Sequence, residues 1–423
     1  MTARNVLYVQ SGGVTAVINA SAAGVIETAR RHRGRIGKVF AAHGGLLGAL
    51  SEELIDTSRE SAAAIAALKH TPGGAFGSSR YTPGPVDTDP APYARLIEVF
   101  RAHDIGAFLY NGGNGSMDTA WRIAALARKT GYPIVSIGIP KTVDNDIVGT
   151  DCSPGFGSAA KYVASSIREA ALDLASMAHD SNKSSTKLFV LEVMGRNTGW
   201  LAAAAGLAAE RAGDAPQVLL LPEIPFEADR FVRKVASVID RDGWCAVVVS
   251  EGIRGASGQA FASIEGPPSV FGPLGGVAPG IARLAGERLG VKYHWAVASY
   301  LQRAARHLAS QTDVDQAYAV GRAAIELVLA GANGVMPSIR RISDRPYRWK
   351  IAAVPLGSVA NKEREVPRRY ISADGFHITA STRRYLAPLI EGEAAIPFER
   401  GLPRFGRLKL VPIAKRLPRF PAA

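Results

Sequence analysis

The sequence predicts an α/β fold of two interwoven lobes, each a largely parallel, helix-covered sheet, with an irregular extension towards the carboxyl end. Three observations predict it. Short apolar runs recur as far as Ser250 without alternating between a polar and an apolar face, as strands buried on both faces require. Longer Ala-rich stretches with apolar positions three and four apart stand between them, the spacing of helices laid over a sheet. Several runs end in glycine-containing turns, and in open α/β sheets ligands bind beyond the carboxyl ends of the strands.

Residues 5–10 read as the first strand and residues 15–31 as the helix after it. A second strand at 107–111 leads into a helix at 116–129, and a third at 134–139 stops at Pro140. Gly149, Pro154, Gly155 and Gly157 then break the apolar pattern before a long helix at 158–178, which places a lobe boundary near residue 155. Strands at 187–194, 218–222 and 245–250 belong to a second lobe, residues 156–300. Residues 301–423 are expected to return to the first lobe and then to become irregular from about 335.

The chain has 423 residues and is 47% hydrophobic, enough for two lobes and a cleft between them. No apolar run reaches the roughly eighteen residues of a membrane span. Met1-Thr2-Ala3-Arg4 leads straight into the first strand without a secretory segment, so a cytoplasmic protein is expected. Cys152 and Cys245 are too few for a disulfide framework or a zinc site and read as buried small hydrophobes. The net charge of +13 is concentrated in Arg400, Arg404, Arg407, Lys409, Lys415, Arg416 and Arg419. The echo Leu402-Pro403-Arg404-Phe405 and Leu417-Pro418-Arg419-Phe420 makes this an extended arm, solvated or clasping another subunit. No RNA-binding aromatic motif, zinc finger or clear helix-turn-helix argues for nucleic acid.

Three turns collect the chemistry. Gln10-Ser11-Gly12-Gly13-Val14 follows a strand and opens a helix, where glycines admit a ligand to the backbone and free N–H groups favour an anion. Alone it is equally a tight turn, and it is neither a P-loop nor a complete dinucleotide fingerprint. Tyr110-Asn111-Gly112-Gly113-Asn114-Gly115-Ser116 repeats the arrangement. Pro140-Lys141-Thr142-Val143-Asp144-Asn145-Asp146 adds a cation and two carboxylates, the ingredients of phosphoryl transfer, although Asp-Asn-Asp can equally be a solvated Asx-turn.

With these turns stand Glu192-Val193-Met194-Gly195-Arg196, Pro222-Glu223, Ser250-Glu251-Gly252 and Tyr300-Leu301-Gln302-Arg303. In this order, over residues 5–305, they resemble the phosphofructokinase family; the stretch from Tyr293-His294-Trp295 to Arg306 is similar to its bacterial pyrophosphate-dependent members. The resemblance implies transfer of a phosphoryl group to the 1-hydroxyl of fructose 6-phosphate, with Mg2+, in a homo-oligomer, a dimer being favoured. It implies that Asp144 is the base, with Lys141 and Gly115 at the donor-determining positions. Gly12, Gly13, Arg80 and Gly113 would bind the donor in the first lobe. Thr142, Val143, Met194, Gly195, Arg196, Glu251, Tyr300 and Arg303 would bind the sugar, joined by Lys187 from a neighbouring subunit. Asn114 and Asp146 would be the residues near the metal. Without the family, Arg80 would be a surface arginine and Met194 a core residue.

Lys141 favours pyrophosphate, since family members using ATP often have glycine there. Gly115 departs from many pyrophosphate users, which carry an obstructing aspartate at that position, so the pair is a mixed signature and an ATP-dependent kinase of the same fold is the alternative. Asn114 departs from a metal-associated aspartate in many relatives. A nicotinamide-dependent oxidoreductase and a basic nucleic-acid-binding protein are the readings from other classes, with no membrane partner.

Overall fold

The computed structural model describes residues 4–178, 185–261 and 276–420, so Met1, Thr2 and Ala3 lie outside the described residues. Its two main sheets are built from β1 (Arg4–Gln10), β2 (Ile36–Ala42), β3 (Leu54–Asp56), β4 (Ile105–Gly112), β5 (Val135–Pro140), β6 (Thr186–Val193), β7 (Val218–Leu220), β8 (Cys245–Ser250), β9 (Lys292–Val297), β10 (Val335–Asp344) and β11 (Tyr347–Pro355). The larger sheet runs β11-β10-β5-β4-β1-β2-β3 and the smaller β7-β8-β6-β9. The smaller sheet is parallel throughout; in the larger, only the edge strands β3 and β11 are antiparallel to their neighbours. Five of the six apolar runs read from the sequence are central strands and the sixth is the edge strand β7: every residue of β8 is buried, as are Val6 to Gln10 of β1.

Register levels the strand ends that matter. Gln10 pairs with Asn111 and Asn111 with Ile139, so β1, β4 and β5 finish at one height. Val193 pairs with Ser250, and Glu192 with Val297, which does the same for β6, β8 and β9.

The helix Gln311–Leu329 carries the chain back to β10, capped at its start by the Ser310 hydroxyl, which accepts from Asp313 N–H. It crosses the helix Ile18–Arg31 at two glycines. A methyl group at Gly24 would lie 2.3 Å from the Tyr318 carbonyl oxygen and one at Gly321 would lie 2.1 Å from that of Ser21, so the backbones approach as only glycine permits. The first helix begins at Ile18 rather than at 15, leaving Thr15, Ala16 and Val17 to the turn that follows β1. The long helix begins at Phe156, after Gly155 turns through φ +110°.

Two features differ from the sequence reading. Residues 335–355, grouped there with the irregular segment, form β10 and β11 and extend the larger sheet through Val335 beside Ile137. Their outer halves carry Arg340, Arg341, Arg348 and Lys350, so the hairpin shows no continuous apolar run. The basic arm is not wholly solvated: its seven basic residues are exposed, but its backbone covers the β3 edge of its own sheet. Pro412 bridges Ile55, Ile413 N–H donates to Leu54 O at 2.9 Å, and buried Glu52 accepts from the amides of Arg416 (2.8 Å) and Leu417 (3.0 Å). An uncovered edge is a site for unwanted strand pairing, and the arm removes it. Both cysteines are buried. Among the described residues no helix is long and apolar enough to cross a membrane.

Candidate active site

The level strand ends of the two sheets face each other across a cleft of about 390 Å³. From the larger sheet come Ser11 to Val14 after β1, Arg80 and Thr82, Gly113, Gly115 and Ser116 after β4, and Lys141 to Asp144 with Asp146 after β5. From the smaller come Met194, Arg196, Glu251 and Arg303. The glycine turns, the Asp-Asn-Asp turn and the two arginines therefore share one cavity, which separate sequence motifs need not do.

Local geometry explains each position. Gly12 sits at φ +71°, which turns the chain out of β1 and exposes backbone to the cleft. The helix Asn114–Thr130 starts with no side-chain cap, leaving its first N–H groups and its dipole directed at the cleft. Lys141 is buried and its ammonium donates to Gly13 O at 2.6 Å. A methyl group on Gly12 would lie 3.6 Å from that ammonium; one on Gly13 would lie 2.6 Å from Arg303 Nη1 and 3.7 Å from Arg80 Nη2. Three cations from three segments thus gather over Gly12 and Gly13, a concentration of positive charge that calls for a polyanion. Gly13→Ala puts a methyl group into the donor-binding turn beside Arg80 and Arg303; kinetics should show the Michaelis constant for the phosphoryl donor rising about tenfold or more, and an unchanged value would remove Gly13 from the site.

The acids lie alongside. Asp144 N–H donates to Thr142 Oγ1 at 3.0 Å, and Thr198 Oγ1 holds Asp144 O at 3.2 Å. Burial pushes the Asp144 carboxyl up to about 7, with the neighbouring Asp146 and Glu251 carboxylates adding to the rise and Lys141 opposing it. Burial likewise raises Asp146 and Glu251. Burial lowers Lys141 to about 8, Asp144 working against that fall. A carboxylate and an ammonium titrating so close to neutrality make a proton-accepting group beside an anion-binding one.

Asn114 and Asp146 meet in a 2.9 Å hydrogen bond from Asn114 Nδ2 to Asp146 Oδ2. Their other oxygens, Asn114 Oδ1 and Asp146 Oδ1, are buried and find no hydrogen-bond partner among the described residues. Asp146 lines the cleft with Asn114 behind it, and their two bare oxygens fit a hard divalent cation that takes its remaining ligands from water and phosphate, as Mg2+ does. The same residues show no cluster of three or more His, Cys, Asp or Glu able to hold a metal unaided.

Four expected residues stand apart from the cavity lining. Gly195, at φ +137°, donates its N–H to Glu251 Oε1 at 3.4 Å and so shapes the wall. Asn114 lies behind Asp146. Tyr300 is 64% exposed, with the Arg303 guanidinium 3.9 Å from its ring centroid. Lys187 is near the amino end of β6, away from Met194, and donates to Ala178 O at 2.6 Å. Sequence reasoning missed Thr82 and, though it quoted their turns, did not single out Ser11, Val14 and Ser116, side chains with no charge to announce them.

An open α/β cleft with a poised carboxylate, clustered cations and two bare oxygens for a cation is that of a phosphoryl transferase. A family model described as Phosphofructokinase matches residues 5–328, and the chain belongs to that family. It is 58% identical over 419 residues to a pyrophosphate--fructose 6-phosphate 1-phosphotransferase of Methylococcus capsulatus, covering 99% of each chain. It is 56% identical to the protein of the same name from Halomonas elongata, over 99% of this chain and 100% of that one. Among solved structures, the pyrophosphate-dependent phosphofructokinase of Marinobacter aquaeolei superposes with a TM-score of 0.91 at 54% identity, covering 99% of this chain and 100% of that one.

Proposed function

We propose that this chain transfers a phosphoryl group reversibly between pyrophosphate and the 1-hydroxyl of fructose 6-phosphate, giving fructose 1,6-bisphosphate and orthophosphate. The observation that carries this is the meeting of Asp144 with Lys141, Arg80 and Arg303 in one cleft. In the forward direction the sugar oxygen bonds to the terminal phosphorus of pyrophosphate, the bridging P–O bond breaks, and Asp144 takes the hydroxyl proton. In reverse, Asp144 returns it. The carboxyl near 7 suits both directions, because it can hold or release a proton at neutral pH. Lys141, Arg80 and the amides at Gly13 and Gly113 hold the donor, Gly12 shaping the turn while its own N–H donates to Ser79 O at 2.9 Å; Gly115 leaves the donor end open. Thr142, Val143, Met194, Gly195, Arg196, Glu251, Tyr300 and Arg303 hold the sugar phosphate, Glu251 accepting from sugar hydroxyls and the arginines gripping the phosphate through paired N–H groups.

Asn114 and Asp146 would hold Mg2+, which supplies charge neutralisation to the donor oxygens when bound. Lys187 stands outside the cleft of its own chain, which supports the reading that it serves the sugar phosphate of a neighbouring subunit in a homo-oligomer, a dimer as its smallest case. The protein works in the cytoplasm.

Parallel assays with pyrophosphate and with ATP test the donor. Fructose 1,6-bisphosphate should form with pyrophosphate, with kcat/KM at least about a hundredfold above that for ATP. Faster turnover with ATP would assign the donor to the nucleotide.

A further inference from the structure

Between the two carboxylates of the turn after β5 stands Asn145, fully buried and left-handed at φ +55°. Asparagine tolerates that conformation better than most side chains, and here its surroundings fix it. Its side chain is held twice, with Oδ1 accepting from Ser153 N–H at 3.0 Å and Nδ2 donating to the Tyr385 hydroxyl at 3.3 Å. Its carbonyl is held by a residue from beyond the matched family region. Arg364 donates to Asn145 O from Nε (3.2 Å) and Nη2 (3.0 Å), and to the carbonyls of Thr150 (3.1 Å) and Asp151 (2.7 Å) from Nη1. Nη2 also meets the Tyr385 hydroxyl at 3.3 Å.

The main chain of Arg364 completes the grip, its N–H donating to Asp146 O at 2.8 Å. The guanidinium is fixed in turn: it lies 4.8 Å from the Trp200 ring centroid, and the indole N–H donates to Arg364 O at 2.8 Å. One planar fork thus spans both ends of the segment from Asn145 to Asp151, on the side away from the cleft. We propose that Arg364 is a positioning residue for phosphoryl transfer, locking the left-handed turn at Asn145 so that Asp144 and Asp146 point into the cleft together.

The proposal rests on the reaction assigned above and extends it. Lysine keeps the charge but presents a single ammonium in place of a planar fork, so it cannot reach Asn145, Thr150 and Asp151 at once. Donor and sugar are gripped by Arg80, Lys141, Arg196 and Arg303, which Arg364 does not touch; a loss of aim should therefore appear in turnover and spare binding.

Arg364→Lys is expected to lower kcat at least 100-fold while leaving the Michaelis constants for pyrophosphate and fructose 6-phosphate within threefold. Tyr385→Phe deletes one oxygen of the same network and should lower kcat three- to tenfold, with the same split and a retained fold. It serves as the deciding variant if the lysine protein does not purify folded. A kcat within twofold of wild type in Tyr385→Phe, or Michaelis constants rising as steeply as kcat falls in Arg364→Lys, would overturn the positioning role. Wild-type protein assayed alongside separates the two levels: wild-type turnover with undiminished variants rejects only Arg364, whereas no wild-type turnover rejects the reaction itself.

Discussion

Asp144→Asn is expected to cut turnover at least about 10³-fold in both directions and, at the same time, to raise the melting temperature of the ligand-free protein above neutral pH. Both effects follow from one cause. Burial and the neighbouring Asp146 and Glu251 carboxylates hold the Asp144 carboxyl near 7, against an ordinary value of about 4 in an unfolded chain. Between those two values the folded protein keeps a proton that the unfolded chain has released, so stability falls as pH rises through the window and the full cost is present above 7. The size of the shift corresponds to on the order of 2–4 kcal/mol, the lower end allowing for the open side of the cleft. Asparagine cannot ionise and escapes that cost. Calorimetry on the ligand-free proteins should show the variant melting several degrees higher at pH 8 and close to wild type at pH 4. A variant that turns over normally, or that melts lower at pH 8, would falsify the assignment of Asp144 as a buried, strained base.

The sequence displayed the site unevenly, and the reason is physical. Residues whose role is to make the backbone approach a ligand, such as Gly12 and Gly113, or to bring charge into an apolar context, such as Lys141 and Arg303, stand out against their neighbours. Thr82 and Ser116 line the same cleft yet look like any small polar residue of a turn. Arg364 is harder still, since it lies in Lys362-Glu363-Arg364-Glu365, a charge run that reads as a solvated loop. Only the tertiary contact with Asn145 shows that its guanidinium is turned inward. The same contrast governs the fold. Runs such as 245–250 are buried on both faces and declare themselves, whereas β9 has Trp295 and Val297 exposed on an edge and β10–β11 interleave arginines with apolar residues.

The second large effect is expected at Lys141. Lys141→Met should lower kcat/KM for pyrophosphate about 10²–10³-fold at pH 7 while leaving fructose 6-phosphate binding, measured by calorimetry, within threefold. Methionine fills much of the same buried volume, so what is lost is the charge that meets the donor beside Gly12 and Gly13. The pH dependence separates this from a packing defect. Burial lowers the Lys141 ammonium to about 8, so in the free enzyme it is mostly charged at pH 7 and mostly neutral at pH 9. Wild-type kcat/KM for pyrophosphate should therefore decline as pH rises past about 8, a limb that belongs to the free protein and weakens in kcat, because bound pyrophosphate favours the protonated ammonium. The methionine variant has no proton to lose there, and the ratio of wild type to variant should shrink between pH 7 and pH 9. A constant ratio across that range would mean that Lys141 acts through shape alone, and the concentration of charge over Gly12 and Gly13 would then rest on Arg80 and Arg303.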